Sequence, residues 1–451
     1  MSTLLEHPEA QELLAATEVT PDTVRRLAQH LTTFIQRYLP CFYRDEQRRH
    51  AQIILQGKLT GLQRKTTEPI AIDARRKRRP LQLFVGAGGW RDDNVLTELR
   101  CHVTTEVGDP EGVLVLDPSS FPKKGNESCG VARQWCGRLG KVDNCQTGVF
   151  LAYAAPRGKA LIACRLFLPE ERAHDRKHRQ KTYVPQEVTF QEKWRLGLEL
   201  VRTAGQEVPH AWVVGDEDFG RPTECRAQLR LAKERYVLDV PCDTLVRDLS
   251  TRRPPARPGG RPRRPLWERA EQWAARQPRK RWKKFRLPGG EKGPRQVWAM
   301  QQQVQTKDAD GQVGPSERLV VIKTCAREPQ VWYTVSNAQQ ELRLAAVVVA
   351  HGRRHGVEEL FAEGNQEVGL SHYEVRSWTG WHHHMTLSLL ALWFLQVERL
   401  AVGKKKSGDH GVAGAGDLHG LTAAAASCGG DRAEGECQVA ADGGGTDLPL
   451  V

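Results

Sequence analysis

The 451-residue chain holds eleven cysteines but no Cys-x-x-Cys pair, which argues against a zinc ribbon. Their odd number and irregular gaps suit reduced thiols better than a disulfide framework. Cys129, Cys136 and Cys145 lie close together, yet their separations do not fit zinc-ligand spacing. Long apolar runs are also missing. The longest, LSLLALWFL at 387–395, is followed by Gln396 and Glu398 and is far shorter than the ~20 residues of a membrane span. It reads as a buried helix. The N-terminal stretch MSTLLEHPEAQELLAATEV is acidic and lacks the apolar core of a signal peptide. The expectation is a soluble, cytoplasmic protein with no membrane partner.

Positive charge is what the chain has in excess. Lys and Arg number 67 against 54 Asp and Glu, for a formal net charge of +13. A surplus of that size points to a polyanionic partner, most commonly nucleic acid. The charge is clustered. ARRKRRP at 74–80 reads either as a solvated turn or as a contact to DNA phosphate. The tract from 246 to about 297 is rich in Arg, Lys, Pro and Gly, a composition often disordered and often in contact with nucleic acid. Trp267, Trp273 and Trp282 are interleaved with it and imply partial order, with base stacking as one use.

Periodicity divides the chain. Between 18 and about 65, apolar residues recur at helical spacing: Val24, Leu27, Leu31, Phe34, Ile35 and Leu39 follow a Thr-Pro start. From about 110 the pattern becomes strand-like. GVLVLD, GVFLAYAA, ALIACRLFLP, AWVVGD and RYVLDVP read as strands, with a hairpin at PRGK. FQEKWRLGLELVRTA and PTECRAQLRLAK read as the helices between later strands. Antiparallel strands followed by helix-to-strand crossings define a mixed α/β order. Further strands are expected at QVWAMQQQVQT, RLVVIKT and VWYTVSN, then a helical tract from about 340 to 368. The Ala/Gly-rich segment after about 406 shows little periodicity, and disorder is expected there.

Acidic residues sit where apolar runs stop. GVLVLD ends in Asp117, and AWVVGDEDFG delivers Asp216, Glu217 and Asp218. Two carboxylates brought together by neighbouring strands repel unless a cation binds, and Mg²⁺ prefers such oxygen ligands. A third acid lies in HGRRHGVEELFAEGNQEVG, where His351, Arg354, Glu358 and Asn365 share one helical face. Glu358 is placed to ligate metal and Arg354 to hold a phosphate or a carboxylate. Asp218 reads as a turn residue and Glu359 as a surface one. Any one of these acids alone is more often structural; the joint pattern carries the reading. WHHHM at 381–385 spreads three imidazoles too widely around a helix for one ion, so a polar, DNA-facing helix start is expected. Trp332 and Trp378 read as core residues before base-stacking ones.

At these residues the chain resembles the DDE transposases of bacterial insertion sequences whose third acid lies in a Tyr-x2-Arg-x3-Glu-x6-Lys signature. The first block is VLVLDPSSFPKKGNESCGVARQWCGRLGKVDNCQTGVF, the second WVVGDEDFG, the third RRHGVEELFAEGNQEVGLSHYEVRSWTGWHHHMTL. The resemblance spans about 25 to 400. It implies an RNase H-like fold with five segments: a helical DNA-binding region at 1–105, a first catalytic part at 106–241, a basic β-rich insertion at 242–330, a second catalytic part at 331–405, and a tail at 406–451. It also implies Asp117, Asp216 and Glu358 as catalytic, metal-holding residues, with Mg²⁺ or alternatively Mn²⁺. Arg354, His351, Asn365, Lys123 and Lys124 become DNA contacts. His351 stands where the signature has Tyr, and Asn365 where it has Lys. The implied activity is metal-dependent cleavage and strand transfer at terminal inverted repeats, by a homodimer associated with the nucleoid when bound to DNA. An inactive DNA-binding remnant or transposition inhibitor is the alternative, and a general metal-dependent nuclease a further one.

Overall fold

The computed structural model describes residues 21–250, 267–290, 293–308 and 310–406. The centre of the basic tract and the Ala/Gly-rich segment, on which disorder was expected, lie outside the described residues. Helices α1 (Pro21–Tyr38), α2 (Asp45–Lys58), α3 (Thr67–Asp73), α4 (Arg78–Ala87) and α5 (Asp92–Val107) come first. The helical spacing read in α1 is its core face: Leu27, Leu31, Phe34, Ile35 and Tyr38 are buried. Val95, Leu96, Leu99, Val103 and Val107 form the same kind of stripe on α5.

The sheet begins with β1 (Val113–Pro122), β2 (Ala132–Cys136), β3 (Lys141–Ala154) and β4 (Lys159–Leu166). Helices α6 (Glu170–His174), α7 (Arg176–Lys181) and α8 (Lys193–Arg202) lead to β5 (Trp212–Gly215). Then come α9 (Glu217–Gly220), α10 (Thr223–Leu231) and β6 (Tyr236–Val240). β3 pairs antiparallel with both β1 and β4, while β5 pairs parallel with β1 and with β6. The order β4-β3-β1-β5-β6 is the RNase H-like mixed sheet expected from the sequence. The PRGK turn closes the β3–β4 hairpin, with the Ala155 N–H donating to the Gly158 carbonyl at 2.8 Å.

The segment between the second and third acids folds as β7 (Leu245–Asp248), β8 (Glu268–Arg269), α11 (Ala270–Ala275), β9 (Lys283–Gly290), β10 (Gly293–Lys307) and β11 (Val313–Thr324). It returns through β12 (Val331–Ser336), which pairs antiparallel with both β11 and β6. Its strands therefore continue the main sheet. A buried polar cluster fastens this join. The Arg226 guanidinium on α10 donates from Nε to Glu317 Oε1 at 3.1 Å and from Nη2 to Thr306 Oγ1 at 2.6 Å. The Tyr236 hydroxyl donates to the same Glu317 oxygen.

The chain ends its described part with α12 (Leu344–Arg353), α13 (His355–Glu367) and α14 (Trp378–Lys406). From Gly380 to Leu395 every residue of α14 is buried. A helix apolar all round must run through the interior, and this one lies between β4 and the N-terminal helices α2, α4 and α5. Among the described residues, no helix is long and apolar enough to cross a membrane.

The imidazoles of WHHHM are not at a DNA-facing surface. His382, His383 and His384 are 5%, 1% and 5% exposed. His383 lies between the carbonyls of Val85 (3.1 Å) and Trp90 (3.0 Å), and His384 reaches the Leu370 carbonyl at 3.0 Å. Backbone acceptors from distant segments satisfy these rings inside the core, which no local pattern reveals. Trp332 and Trp378 pack partly buried against the core.

Candidate active site

Leu116 of β1 lies opposite Gly215 of β5. The next residue on each strand is a carboxylate, so Asp117 and Asp216 leave neighbouring strands spaced ~4.8 Å apart. The two strands behave differently from there. β5 stops because Asp216 caps α9, its Oδ1 accepting the Asp218 N–H at 3.0 Å. β1 runs on to Pro122, still paired with β3. Asp117 is therefore mid-strand rather than at a strand end. The β1 edge beside it is open where β5 has turned away, and Pro118, lacking an N–H, is tolerated on such an edge.

Neither carboxylate is comfortably ionised. Burial raises Asp117 to about 6; nearby Arg354 opposes the shift, and the charges of Glu358 and Asp218 add to it. Burial raises Asp216 to about 7, reinforced by Asp117 and then Asp218. Two acids forced together in a low-dielectric notch ionise less readily than free carboxylates, and a bound cation relieves that cost.

The third acid comes from the α12–α13 junction. Burial works against the Arg354 charge, but Asp239, Asp117, Asp216 and Glu358 outweigh it and hold its pKa above the usual value. Arg354 Nη1 donates to Asp239 Oδ2 at 2.5 Å, and Nη2 lies 3.8 Å from Asp117 Oδ1. Its Nε is buried with no hydrogen-bond partner. Glu358 is 56% exposed at the first turn of α13, its carboxylate 3.1 Å from His355 Nδ1. Its charge is felt at Asp117.

His351 is placed differently from the phosphate contact expected of it. It is 8% exposed, and its Nε2 lies 3.0 Å from Asp239 Oδ1. Asp239, on β6, is thus gripped from both sides by His351 and Arg354. The sequence reading passed over Asp239. Its signal was there: an acid in YVLDV, whose apolar neighbours bury it and so demand partners. Gly220 fixes the approach, since a Cβ there would lie 1.8 Å from the Asp239 carbonyl oxygen.

Asn365 sits two turns beyond Glu358 on α13, donating to the Phe361 carbonyl at 2.8 Å and facing Arg138 Nη1 at 3.5 Å. Lys124 is exposed, while Lys123 is half-buried with its ammonium 3.3 Å from the Tyr373 ring centre. Asp218 pairs with Lys193 at 3.0 Å, and Glu359 with Lys159 at 2.5 Å.

The donor set fits a hard divalent cation in part. Asp117 and Asp216 offer adjacent oxygens whose ionised forms are offset only in part by Arg354, and exposed Glu358 is free to turn from His355. Among the described residues, no three His, Cys, Asp or Glu side chains already form a metal cluster. Glu358 would have to swing inward to complete one.

A search of curated proteins gave no match. Among solved structures, the chain is similar to a piggyBac transposase in a cryo-EM synaptic complex with hairpin DNA. The identity is 10%, the TM-score 0.39, and the alignment covers 91% of this chain and 80% of that one. The family described as DDE superfamily endonuclease matches residues 37–294, a span that includes Asp117 and Asp216 and ends before Glu358. That match takes in more than half of the sequence, and the chain belongs to the DDE superfamily endonuclease family.

Proposed function

We propose that the protein is a cut-and-paste transposase of an insertion sequence, cleaving DNA at the element's ends and joining the freed 3′-hydroxyls to a target. The observation that carries this reading is the register of β1 and β5, which sets two partly buried carboxylates, only partly offset by Arg354, side by side on an open strand edge. Asp117, Asp216 and Glu358 would hold Mg²⁺, or Mn²⁺ in its place. When bound, the ions supply Lewis acidity to the phosphodiester and its leaving oxygen.

The chain's own residues do the positioning. Asp216 is held by its cap to α9, one oxygen accepting the Asp218 N–H. Arg354 spans Asp239 and Asp117 and keeps the Asp117 carboxylate oriented. We assign His351 to that support, through Asp239, rather than to DNA. We assign to the phosphates flanking the cut bond Asn365, two turns along α13 from Glu358, with Arg138 of the β2–β3 turn facing it, and Lys123 and Lys124 beyond the end of β1. Bringing two ends together calls for a homodimer on DNA.

The test is nicking of a duplex that carries the sequences flanking the gene. Mg²⁺-dependent nicks at the element boundary are expected, lost in Asp216→Ala with DNA binding kept. Undiminished nicking by that variant would end the assignment. Cuts without preference for the boundary would leave a general nuclease instead.

A further inference from the structure

A second cleft lies between helices α2–α4, the loop after β1 and the approach to α14, with a cavity of about 720 Å³. Seven Lys and Arg side chains line it against three Glu. The glutamates are already engaged: Glu68 with Arg78, Glu127 with Lys181, and Glu374 with Arg64 at 2.5 Å. The inner cations are held differently.

Lys58, the last residue of α2, is 1% exposed, and its ammonium donates to Ser388 Oγ at 2.8 Å and the Val368 carbonyl at 3.4 Å. The Lys65 ammonium donates to the Lys58 carbonyl at 2.9 Å and to that of Glu367. The Lys123 ammonium donates to the Tyr373 carbonyl at 3.2 Å and lies over its ring. These acceptors are all neutral. Burial and, after it, the Lys65 charge lower Lys58 to about 7. Burial lowers Lys65 and Lys123 to about 8 each, opposed by Glu367 and Glu374 respectively. His372 feels the same field: burial, then Lys58, Lys65, Arg64 and Arg138, lower its pKa from the usual imidazole value.

Packing does not require this arrangement. A methionine would fill the Lys58 site without the desolvation cost of an ammonium or its repulsion from Lys65. An anion entering the cleft relieves both. The cleft is also joined to the carboxylates through β1. Lys123 follows Asp117 by six residues of extended chain, about 20 Å, or roughly six base pairs of duplex at ~3.4 Å each. The expected basic patch at 74–80 contributes Arg79 to the lining.

We propose that this cleft binds the sugar-phosphate backbone of the DNA that enters the carboxylate site, with Lys58, Lys65 and Lys123 as its inner cations and Arg79 and Lys124 at its mouth. The proposal rests on the transposase reading only for the identity of the polyanion.

The test is fluorescence anisotropy of a short fluorescein-labelled duplex carrying the element's boundary, titrated with the full chain over a range of salt. Each phosphate contact adds about 0.9 to the slope of log affinity against log salt. The double variant Arg79→Gln, Lys124→Gln removes two exposed cations and should lower that slope by about 1.8. A control pair, Arg202→Gln with Lys233→Gln, lies at the opposite ends of β5 and β6 from the carboxylates and should leave it unchanged. Lys123→Met should weaken binding further while the melting temperature stays within a few degrees of wild type.

An unchanged slope in the mouth variant, or an equal fall in the control, overturns the cleft. So does inorganic phosphate that displaces the duplex better than chloride of equal ionic strength, since that identifies a small-anion site. The two readings fail separately. Nicking by the wild type with an unaltered slope removes the cleft alone, whereas a lowered slope with no nicking removes the transposase and keeps the cleft.

Discussion

Replacing Asp216 with Asn should stabilise the metal-free protein, and more so as pH rises. Burial and the neighbouring Asp117 raise Asp216 from 3.8 to about 7. The folded state therefore keeps a proton that the unfolded chain has lost, throughout the window between those values. Because the folded pKa is the higher one, this group's contribution is intact below about 3.8 and is lost as pH climbs to about 7. At ~1.36 kcal/mol per unit, a shift of about 3 units costs ~4 kcal/mol above that window, an upper figure because the notch can relax. Asn keeps the oxygen that caps α9 through the Asp218 N–H, so the charge is the main thing removed.

The assay is urea unfolding of wild type and Asp216→Asn in EDTA from about pH 5 to about pH 8. The stability difference should grow from ~1.5 kcal/mol to ~4 kcal/mol and then level off. Taking the difference cancels other titrating groups, such as His102 and His382, which burial lowers to about 4. Added Mg²⁺ should stabilise wild type and do little for the variant. A difference that stays flat with pH, or a variant less stable than wild type at pH 8, would refute the idea that the Asp216 charge is costly in the folded state.

Other perturbations probe the scaffold around the pair. Glu317→Ala leaves the Arg226 guanidinium buried without its carboxylate and should cost about 3–5 kcal/mol in urea unfolding; a loss below ~1 kcal/mol would mean the cluster does not fasten β11 to α10. Gly220→Ala drives a methyl into the Asp239 carbonyl, with an expected cost of about 1–3 kcal/mol and a larger fall in nicking than in DNA affinity; unaltered nicking would show that Asp239 need not hold its position. His351→Ala strips one partner from Asp239 and should reduce nicking by the equivalent of about 1.5–3 kcal/mol with the salt slope of DNA binding unchanged. A lowered slope would return His351 to the DNA.

Much of the fold was readable because its elements carry strong local patterns. The stripe on α1 and the all-apolar middle of α14 each admit one burial geometry, and both took it. Strand lengths were harder. GVLVLD reads as six residues ending at the acid, whereas β1 has ten, passing through Pro118 and ending on Pro122. Those prolines look like a stop signal in isolation. They are harmless because β5 has already left that edge, a fact of tertiary pairing that no window of β1 contains. The buried histidines of α14 were misread for the same reason, since His383 meets the Val85 and Trp90 carbonyls and His382 meets the Leu166 N–H of β4, all far away in sequence.

The site divides along the same line. Asp117 and Asp216 were legible because an apolar run that ends in a carboxylate is locally odd. Their partners were not, because partnership here is long-range: Asp239 meets His351 across 112 residues. That contact also changes what the third block means. Spacing alone made His351, Arg354, Glu358 and Asn365 one functional face. In the fold the face is graded along its length. His351 is sunk against β6, Arg354 bridges β6 to β1, Glu358 stands at the solvent edge, and Asn365 lies two turns beyond it. The inner half positions carboxylates and the outer half faces whatever approaches. Two helices meeting at Arg354 can serve both ends only if the sheet beside them stops partway, and the early end of β5 at Gly215 provides that step.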